Sequence, residues 1–278
     1  MDQSLPPGLY IVATPIGNLG DITSRAADTL RRADAILAED KRVTAKLLAH
    51  VGAKAPMIAY HDHSDEKLRE RIIADLATKA VALVSDAGTP LISDPGYKLV
   101  RSARKAGSAI HTLPGPCAAI AALTLAGLPT DRFFFLGFLP AKSKARADAI
   151  AEVASVRSCL VLYESGPRLG ECLAALRDGL GEREAALIRE ITKLHEETVT
   201  GSLAALAERY AGAPPKGELV IVVGPPGRDE ASDEDLDEAL RAALASMTPS
   251  RAAAEAAARL GIPRKRAYAR ALALVRGD

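Results

Sequence analysis

The chain has 278 residues, enough for two domains and a small third one. Apolar residues make up 48% of it but aromatics only 4%, with no Trp, so alanine and branched aliphatics must fill the interior and aromatic stacking on bases is not expected as a main binding mode. Lys and Arg number 36 against 35 Asp and Glu, a formal charge of +1, so any attraction for a polyanion has to be local. Cys117, Cys159 and Cys172 lie far apart without a C-x-x-C pair, which argues against both a disulfide framework and a zinc ribbon. The start, Met1 to Pro7, lacks the basic and apolar regions of a signal peptide, and no apolar run approaches the roughly 18 residues of a membrane span. A cytosolic, soluble chain with no membrane association is expected.

Strand signals fall at 9–13, 34–38, 57–60, 81–85 and 109–112, with helical patterns between them, an α/β layout. Between Ser64 and Lys79, apolar Leu68, Ile72, Ile73 and Leu76 recur at helical spacing opposite a charged face. Three of these strands end in Gly/Pro loops: Ala13 to Asp21, Ser85 to Gly96, and Leu113 to Ala119 before an apolar helix that runs to Ala126. Loops of this kind at the carboxyl edge of a parallel sheet hold ligands, because glycine and proline fix backbone shapes that other residues do not. In the middle loop, Asp94 has a plain alternative role as cap of a helix beginning at Pro95. No loop spells G-x-G-x-x-G or G-x-x-x-x-G-K-[ST], and no acidic residue closes a second strand in the way a ribose clamp requires, so neither NAD nor a nucleoside triphosphate is indicated. His61-Asp62-His63 lacks a third ligand nearby and reads as a solvated or cleft-lining loop, so no metal is expected.

Leu128-Pro129-Thr130-Asp131 interrupts this pattern, dividing a first domain, 1–128, from a second, 129–225. The second has strands at 133–138, 158–163, 185–189, 196–201 and 218–223, with helices near 143–154, 167–178 and 202–210. A final unit, 226–278, opens with seven acids between Asp229 and Glu238, a solvated linker and helix start. It continues as two helices joined at Gly261, a helix-turn-helix pattern. Over 246–278 seven basic side chains stand against two acids, and Arg264, Lys265 and Arg266 lead the second helix. That charge suits phosphate contact; the alternative is a hairpin packed on the body or on a second subunit.

Thr14-Pro15-Ile16-Gly17-Asn18-Leu19-Gly20-Asp21-Ile22-Thr23, Glu39 to Arg42, Ser85 to Gly96, Pro114-Gly115-Pro116, Gly137 to Pro140, Tyr163-Glu164-Ser165 and Arg189 to Glu197 together resemble the signature of the bacterial 16S ribosomal RNA cytidine 2'-O-methyltransferases, members of the tetrapyrrole methylase superfamily. The resemblance runs from about Gly8 to Val223 and into the C-terminal helices. It implies two α/β domains with a cofactor cleft between them plus a C-terminal helical hairpin, S-adenosylmethionine as methyl donor, and a ribose hydroxyl in 16S ribosomal RNA as acceptor, in the decoding region of the small subunit. It also implies a homodimer. Pro15, Asp86, Gly88, Thr89, Ser93, Asp94, Pro116, Cys117, Ala118 and Tyr163 are then the cofactor-binding candidates.

A ribose hydroxyl is a poor nucleophile near neutral pH, so a group must accept or orient its proton. Lys193, Glu190 and Glu196 are the catalytic candidates, set in a segment denser in ionisable groups than a strand connection needs, where the alternative is a salt-bridged loop. Lys193 acts as a base only where burial or a neighbouring cation lowers its pKa. Arg42, Arg168 and Arg189 join Arg264, Lys265 and Arg266 as RNA-binding candidates. The chain departs from the family pattern at Cys117, where serine is usual, at Ser64, where asparagine is usual, and at Gly166-Pro167, where Pro-His is common. Two rival readings are a tetrapyrrole C-methyltransferase, which would need no basic C-terminal hairpin, and a non-enzymatic ligand-sensing nucleic-acid regulator, which would leave the 189–197 cluster without a task.

Overall fold

The computed structural model describes residues 4–61, 64–212, 214–227, 233–260 and 262–276. Asp62, His63 and Gly261, named above, lie outside the described residues. The chain falls into two compact units, 1–225 and 226–278.

The first unit holds two sheets. Strands β1 (Gly8–Val12), β2 (Ala35–Ala38), β3 (Met57–Ala59), β4 (Ala80–Val84) and β5 (Ile110–Leu113) form a wholly parallel sheet in the order β3-β2-β4-β1-β5. Alternation splits its side chains between the two faces. Tyr10, Val12, Ile36, Ala38, Ala82 and Val84 meet α1 (Ser24–Arg32) and α2 (Lys41–Val51) on one face. Leu9, Leu37, Val81 and Leu83 meet α3 (Glu66–Asp75) and α4 (Tyr97–Lys105) on the other. The predicted helix over 64–79 is shorter because Asp65 caps α3, its side chain accepting from the Lys67 N–H. Asp94 does not cap α4: Gly96, at φ 132°, holds the cap position without a side-chain bond, and Pro95 lies before it. Asp94 is left facing the cleft described below.

The second sheet, in the order β6-β7-β10-β8-β9, comprises β6 (Phe133–Phe138), β7 (Cys159–Ser165), β8 (Glu184–Arg189), β9 (Glu197–Ser202) and β10 (Glu218–Val223). Only β6 and β7 run parallel. Leu160, Leu162, Leu187 and Ile221 face α6 (Ser143–Val153), α7 (Leu169–Leu180) and α8 (Leu203–Tyr210). Val161, Ile188, Val220 and Val222 face the other way, onto Ala119, Ala122 and Leu123 of α5 (Ala118–Leu125). Although α5 precedes the Leu128-Pro129 break, it packs on the second sheet, so the chain changes layers before the sequence pattern changes.

The second unit contains three helices rather than a hairpin: α9 (Asp233–Leu244), α10 (Pro249–Leu260) and α11 (Arg264–Arg276). The acidic stretch read as linker and helix start supplies α9, whose Leu236 and Leu240 close a core with Ala252, Ala253, Ala256 and Ala267. Two alanine-rich helices bury too little apolar surface by themselves, and the third supplies the larger side chains.

Candidate active site

Three loops at the carboxyl edge of the first sheet are laced to one another through the backbone. The Thr14 N–H donates to the Gly88 carbonyl at 2.8 Å, the Gly88 N–H returns to Thr14 at 3.1 Å, and the buried Thr14 hydroxyl donates to the Ser85 carbonyl at 3.2 Å. The Thr89 hydroxyl donates to the Pro116 carbonyl at 3.0 Å, tying in the third loop. Asp86 accepts the Asp40 N–H at 3.0 Å, which links the end of β2 as well. Leu91 and Ser93 sit at φ 74° and 62°, left-handed conformations that cost non-glycine residues about 1–3 kcal/mol each and persist only where the surroundings hold them. Added to Gly96, a Cβ would stand 2.9 Å from Leu83.

Between this edge and the second sheet lies a cleft of about 380 Å³, within the range of sites for small organic ligands. Asp86, Gly88, Thr89, Ser93, Asp94, Cys117, Ala118 and Tyr163 line it, as the sequence reading named them. Pro15 and Pro116 are not on its wall; Pro116 acts one layer back, through the carbonyl held by Thr89. The lining also includes Ile16, Ile92, Phe138, Glu164, Ile191 and Glu218, which the sequence reading did not assign. Ile16, Ile92, Phe138, Glu164 and Ile191 lie within the motifs that carry the family resemblance, and their apolar or charged character gives no separate signal there.

The cleft is electrostatically uneven. Burial, reinforced by the charges of Glu39 and Asp86 and opposed by a hydrogen bond from Ser85, pushes the Asp94 carboxyl up to about 6. Burial drives the Tyr163 phenol far above its ordinary value; its oxygen accepts the Ala119 N–H at 3.2 Å, and Phe135 and Phe138 meet its ring edge-on with centroids 4.9 Å and 5.6 Å away. Tyr163 is therefore a neutral, fixed wall.

The opposite rim is the turn between β8 and β9, with Glu190 and Thr192 at φ 51° and 65°. The Lys193 ammonium lies 2.9 Å from Glu190 and 3.0 Å from Glu218. Its stem runs over Gly17, where an added Cβ would meet Lys193 carbons at 2.5 Å. Thr192 donates its hydroxyl to Asp21 at 2.6 Å and its N–H to Glu196 at 2.6 Å. Burial alone would lower the Lys193 pKa, but the hydrogen bonds to Glu190 and Glu218 outweigh it, and the amine is held protonated above its ordinary range. The lowered pKa that a lysine base requires is absent. Glu190, held low by the Glu218 N–H and then by Lys193, stays a carboxylate. Neither residue, nor Glu196, lines the cleft, whereas Ile191 and Glu218 do. The cluster joins the two sheets at the cleft edge.

Comparison with known proteins agrees with this architecture. The model of the tetrapyrrole (corrin/porphyrin) methylases matches residues 8–207, and that of the RsmI C-terminal HTH domain matches 230–275. A ribosomal RNA small subunit methyltransferase I from Erythrobacter litoralis is 56% identical over 272 residues, covering 98% of this chain and 97% of the relative. The protein of the same description from Escherichia coli O157:H7 is 48% identical over 233 residues, 82% of this chain and 80% of its own. This chain belongs to the ribosomal RNA small subunit methyltransferase I family. Among solved structures, diphthine synthase superposes with TM-score 0.61 at 18% identity, covering 78% of this chain and 89% of that one. A cobalt precorrin-4 methyltransferase gives 0.60 at 18%, covering 78% and 94%; at such identities the likeness concerns the fold.

In this methyltransferase most of the arginines named as RNA-binding candidates already hold partners. Arg42 is exposed and forks onto Asp40 at 2.7 Å; its guanidinium, joined by its backbone N–H at 2.8 Å, holds that carboxyl near 2. Arg168 donates to the Leu139 carbonyl at 2.6 Å and lies 3.3 Å from buried Glu164, which makes it part of the layer behind the cleft. Arg189 pairs with Glu197 at 3.0 Å. In the C-terminal unit Arg264 donates to Ser250 and Arg266 pairs with Asp233 at 2.9 Å, while Lys265 is exposed. Arg270 forks onto Asp237 at 2.6 and 2.8 Å. The positive excess counted over 246–278 is offset by the acids at the start of the unit: residues 226–278 hold nine acids and nine bases.

Proposed function

We propose that this enzyme transfers a methyl group to the ribose 2'-hydroxyl of a cytidine in the decoding region of 16S ribosomal RNA. Methylation of small-subunit ribosomal RNA with S-adenosylmethionine as donor follows from family membership across 98% of the chain. The cleft supports the cofactor assignment: it has the size for one such molecule, apolar walls at Ile16, Ile92 and Phe138, and carboxylates at Asp86 and Asp94 suited to a cationic ligand. The cytidine 2'-hydroxyl as acceptor rests on the resemblance of the motifs from Thr14 to Glu197. S-adenosylmethionine supplies, when bound, a methyl group on a positively charged sulfur. The task of the protein is to fix that group in line with the acceptor oxygen, and loops locked by backbone hydrogen bonds do this without large reorganisation.

In the proposed assignment Asp86, Gly88, Thr89, Ser93, Asp94, Cys117, Ala118 and Tyr163 contact the cofactor, with Pro15 and Pro116 shaping the loops behind them. Lys193, Glu190 and Glu196 act at the rim as positioning residues: the protonated amine braces Glu218, which lines the cleft, against Glu190. The enzyme acts in the cytoplasm as a homodimer on the small ribosomal subunit. Exposed Phe133, Phe134 and Ile120 offer apolar surface for pairing of subunits, and no described helix is long and apolar enough to cross a membrane.

The deciding assay offers labelled S-adenosylmethionine with purified small ribosomal subunits, and separately with tetrapyrrole precursors, followed by nucleoside analysis of the RNA. Labelled 2'-O-methylcytidine is expected. Label in a tetrapyrrole and none in RNA would overturn the substrate while leaving the fold intact. Light scattering of the purified chain tests the dimer.

A further inference from the structure

The longest acid-free stretch near the cleft begins where the cofactor loop ends. From Pro95 to Thr130 the chain contains no Asp or Glu, yet it carries Lys98, Arg101, Arg104 and Lys105, all on α4. At about 100° per residue, Tyr97, Lys98, Arg101, Arg104 and Lys105 occupy an arc of roughly 120° on one side of that helix. All five are exposed, while Leu99 and Ala103 on the other side are buried against the first sheet. Arg101, Arg104 and Lys105 make no ion pair with any described residue, in contrast to Arg42, Arg168, Arg189 and Arg266. Neighbouring α3 offers Glu66 and Glu70 but pairs Glu66 with Arg69 at 3.3 Å. The rail has a direction: Tyr97, 61% exposed, follows directly on the loop whose Ile92, Ser93 and Asp94 line the cleft.

We propose that the outer side of α4 is the phosphate-binding rail that leads the RNA strand into the cleft, with Tyr97 stacking on a base at its cleft end. The proposal rests on the RNA methyltransferase reading above. Unpaired cations one helical turn apart release counterions when phosphates replace solvent, whereas cations already neutralised by carboxylates release few. An exposed aromatic beside them adds a base platform that is indifferent to salt.

Binding of a 16S RNA fragment is measured from about 50 to 300 mM salt for the wild type, for the triple variant Arg101→Gln/Arg104→Gln/Lys105→Gln, and for Tyr97→Ala. At roughly 0.7 to 0.9 per phosphate contact, the triple variant should lower the slope of log K against log salt by about two. Tyr97→Ala should weaken binding about tenfold and leave the slope unchanged. Calorimetric affinity for S-adenosylmethionine should stay at the wild-type value in both variants, which shows that fold and cleft survive. An unchanged slope in a triple variant that still binds cofactor overturns the proposal. So does a triple variant whose main change is dissociation of a dimer, since α4 would then face a second copy of the chain. Failure of the wild type to bind or methylate RNA removes the underlying reading instead.

Discussion

The two walls of the cleft are held by different forces. On the side of the first sheet, neutral hydrogen bonds between Thr14, Ser85, Gly88, Thr89 and Pro116 fix the loops, and glycine at position 96 admits a backbone that a side chain would spoil. On the side of the second sheet, Lys193, Glu190, Glu218 and the Thr192–Asp21 contact do the same work with formal charges. The uncharged hydrogen bonds of the first construction are insensitive to salt, whereas the ion pairs of the second weaken as ionic strength rises. A methyl donor needs one rigid surface to lie on, and an acceptor strand needs an edge that can adjust.

The largest effect should come from breaking the rigid wall. Gly96→Ala places a Cβ 2.9 Å from Leu83 at φ 132°, and we expect a loss of about 2–3 kcal/mol, read as a fall in Tm of roughly 5–10 °C. Gly52→Ala, at φ 73° with no atom within 4 Å of the new Cβ, should cost only the strain of the left-handed backbone, about 1 kcal/mol. Equal losses for the two would remove the argument from close approach.

Next is Asp94, on the same wall. With Asp94 at about 6, its carboxylate is nearly complete at pH 7 and about one-tenth populated at pH 5, so affinity for the cationic cofactor should fall by up to about tenfold over that interval. Asp94→Asn should flatten that profile in calorimetry. The cofactor-free protein should behave with the opposite sign. A carboxyl whose folded pKa is raised favours the protonated fold, so its contribution to stability is largest below the unfolded value near 4 and is lost as pH rises to about 6.

A smaller effect is expected across the cleft. Lys193→Met leaves Glu190 and Glu218 without their shared cation and should cost about 1 kcal/mol at low salt, less at 0.5 M salt, because Glu218 is exposed and Lys193 only partly covered. If Lys193 positions the rim, single-turnover methyl transfer slows without a new pH dependence; loss of an alkaline limb in the rate profile would instead restore it as a base. Smallest is Arg42→Ala, which removes an exposed pair with Asp40 and should leave thermal unfolding unchanged.

Much of this was legible from residue order. The strands of both sheets fell within about two residues of the observed ones because alternating or unbroken apolar runs ended at Gly and Pro loops. Gly88, Ser93 and Ala118, which the family resemblance implied as cofactor residues, stand in loops that follow these strands and line the cleft. The missed residues have a common physical origin. Glu218 starts a strand as an ordinary polar residue, and only the approach of Lys193 to it from a segment 25 positions away gives it a role at the rim. Asp94, a cofactor candidate from the start, lost only its alternative role as helix cap, because Gly96 takes the cap position by backbone torsion. The C-terminal excess of arginine looked like a free basic surface because composition over 246–278 leaves out the acids of α9 that pair with it.

By itself the sequence determined the α/β class, the two sheets, the three Gly/Pro loops and the family, since each depends on local periodicity, turn chemistry or long irregular motifs. Only the tertiary structure decided which charges are already spent on one another, that α5 belongs to the second sheet's core, and that Lys193 stands between Glu190 and Glu218. These depend on distances between residues remote in the chain, and electrostatic and packing energies follow distance in space rather than separation in sequence.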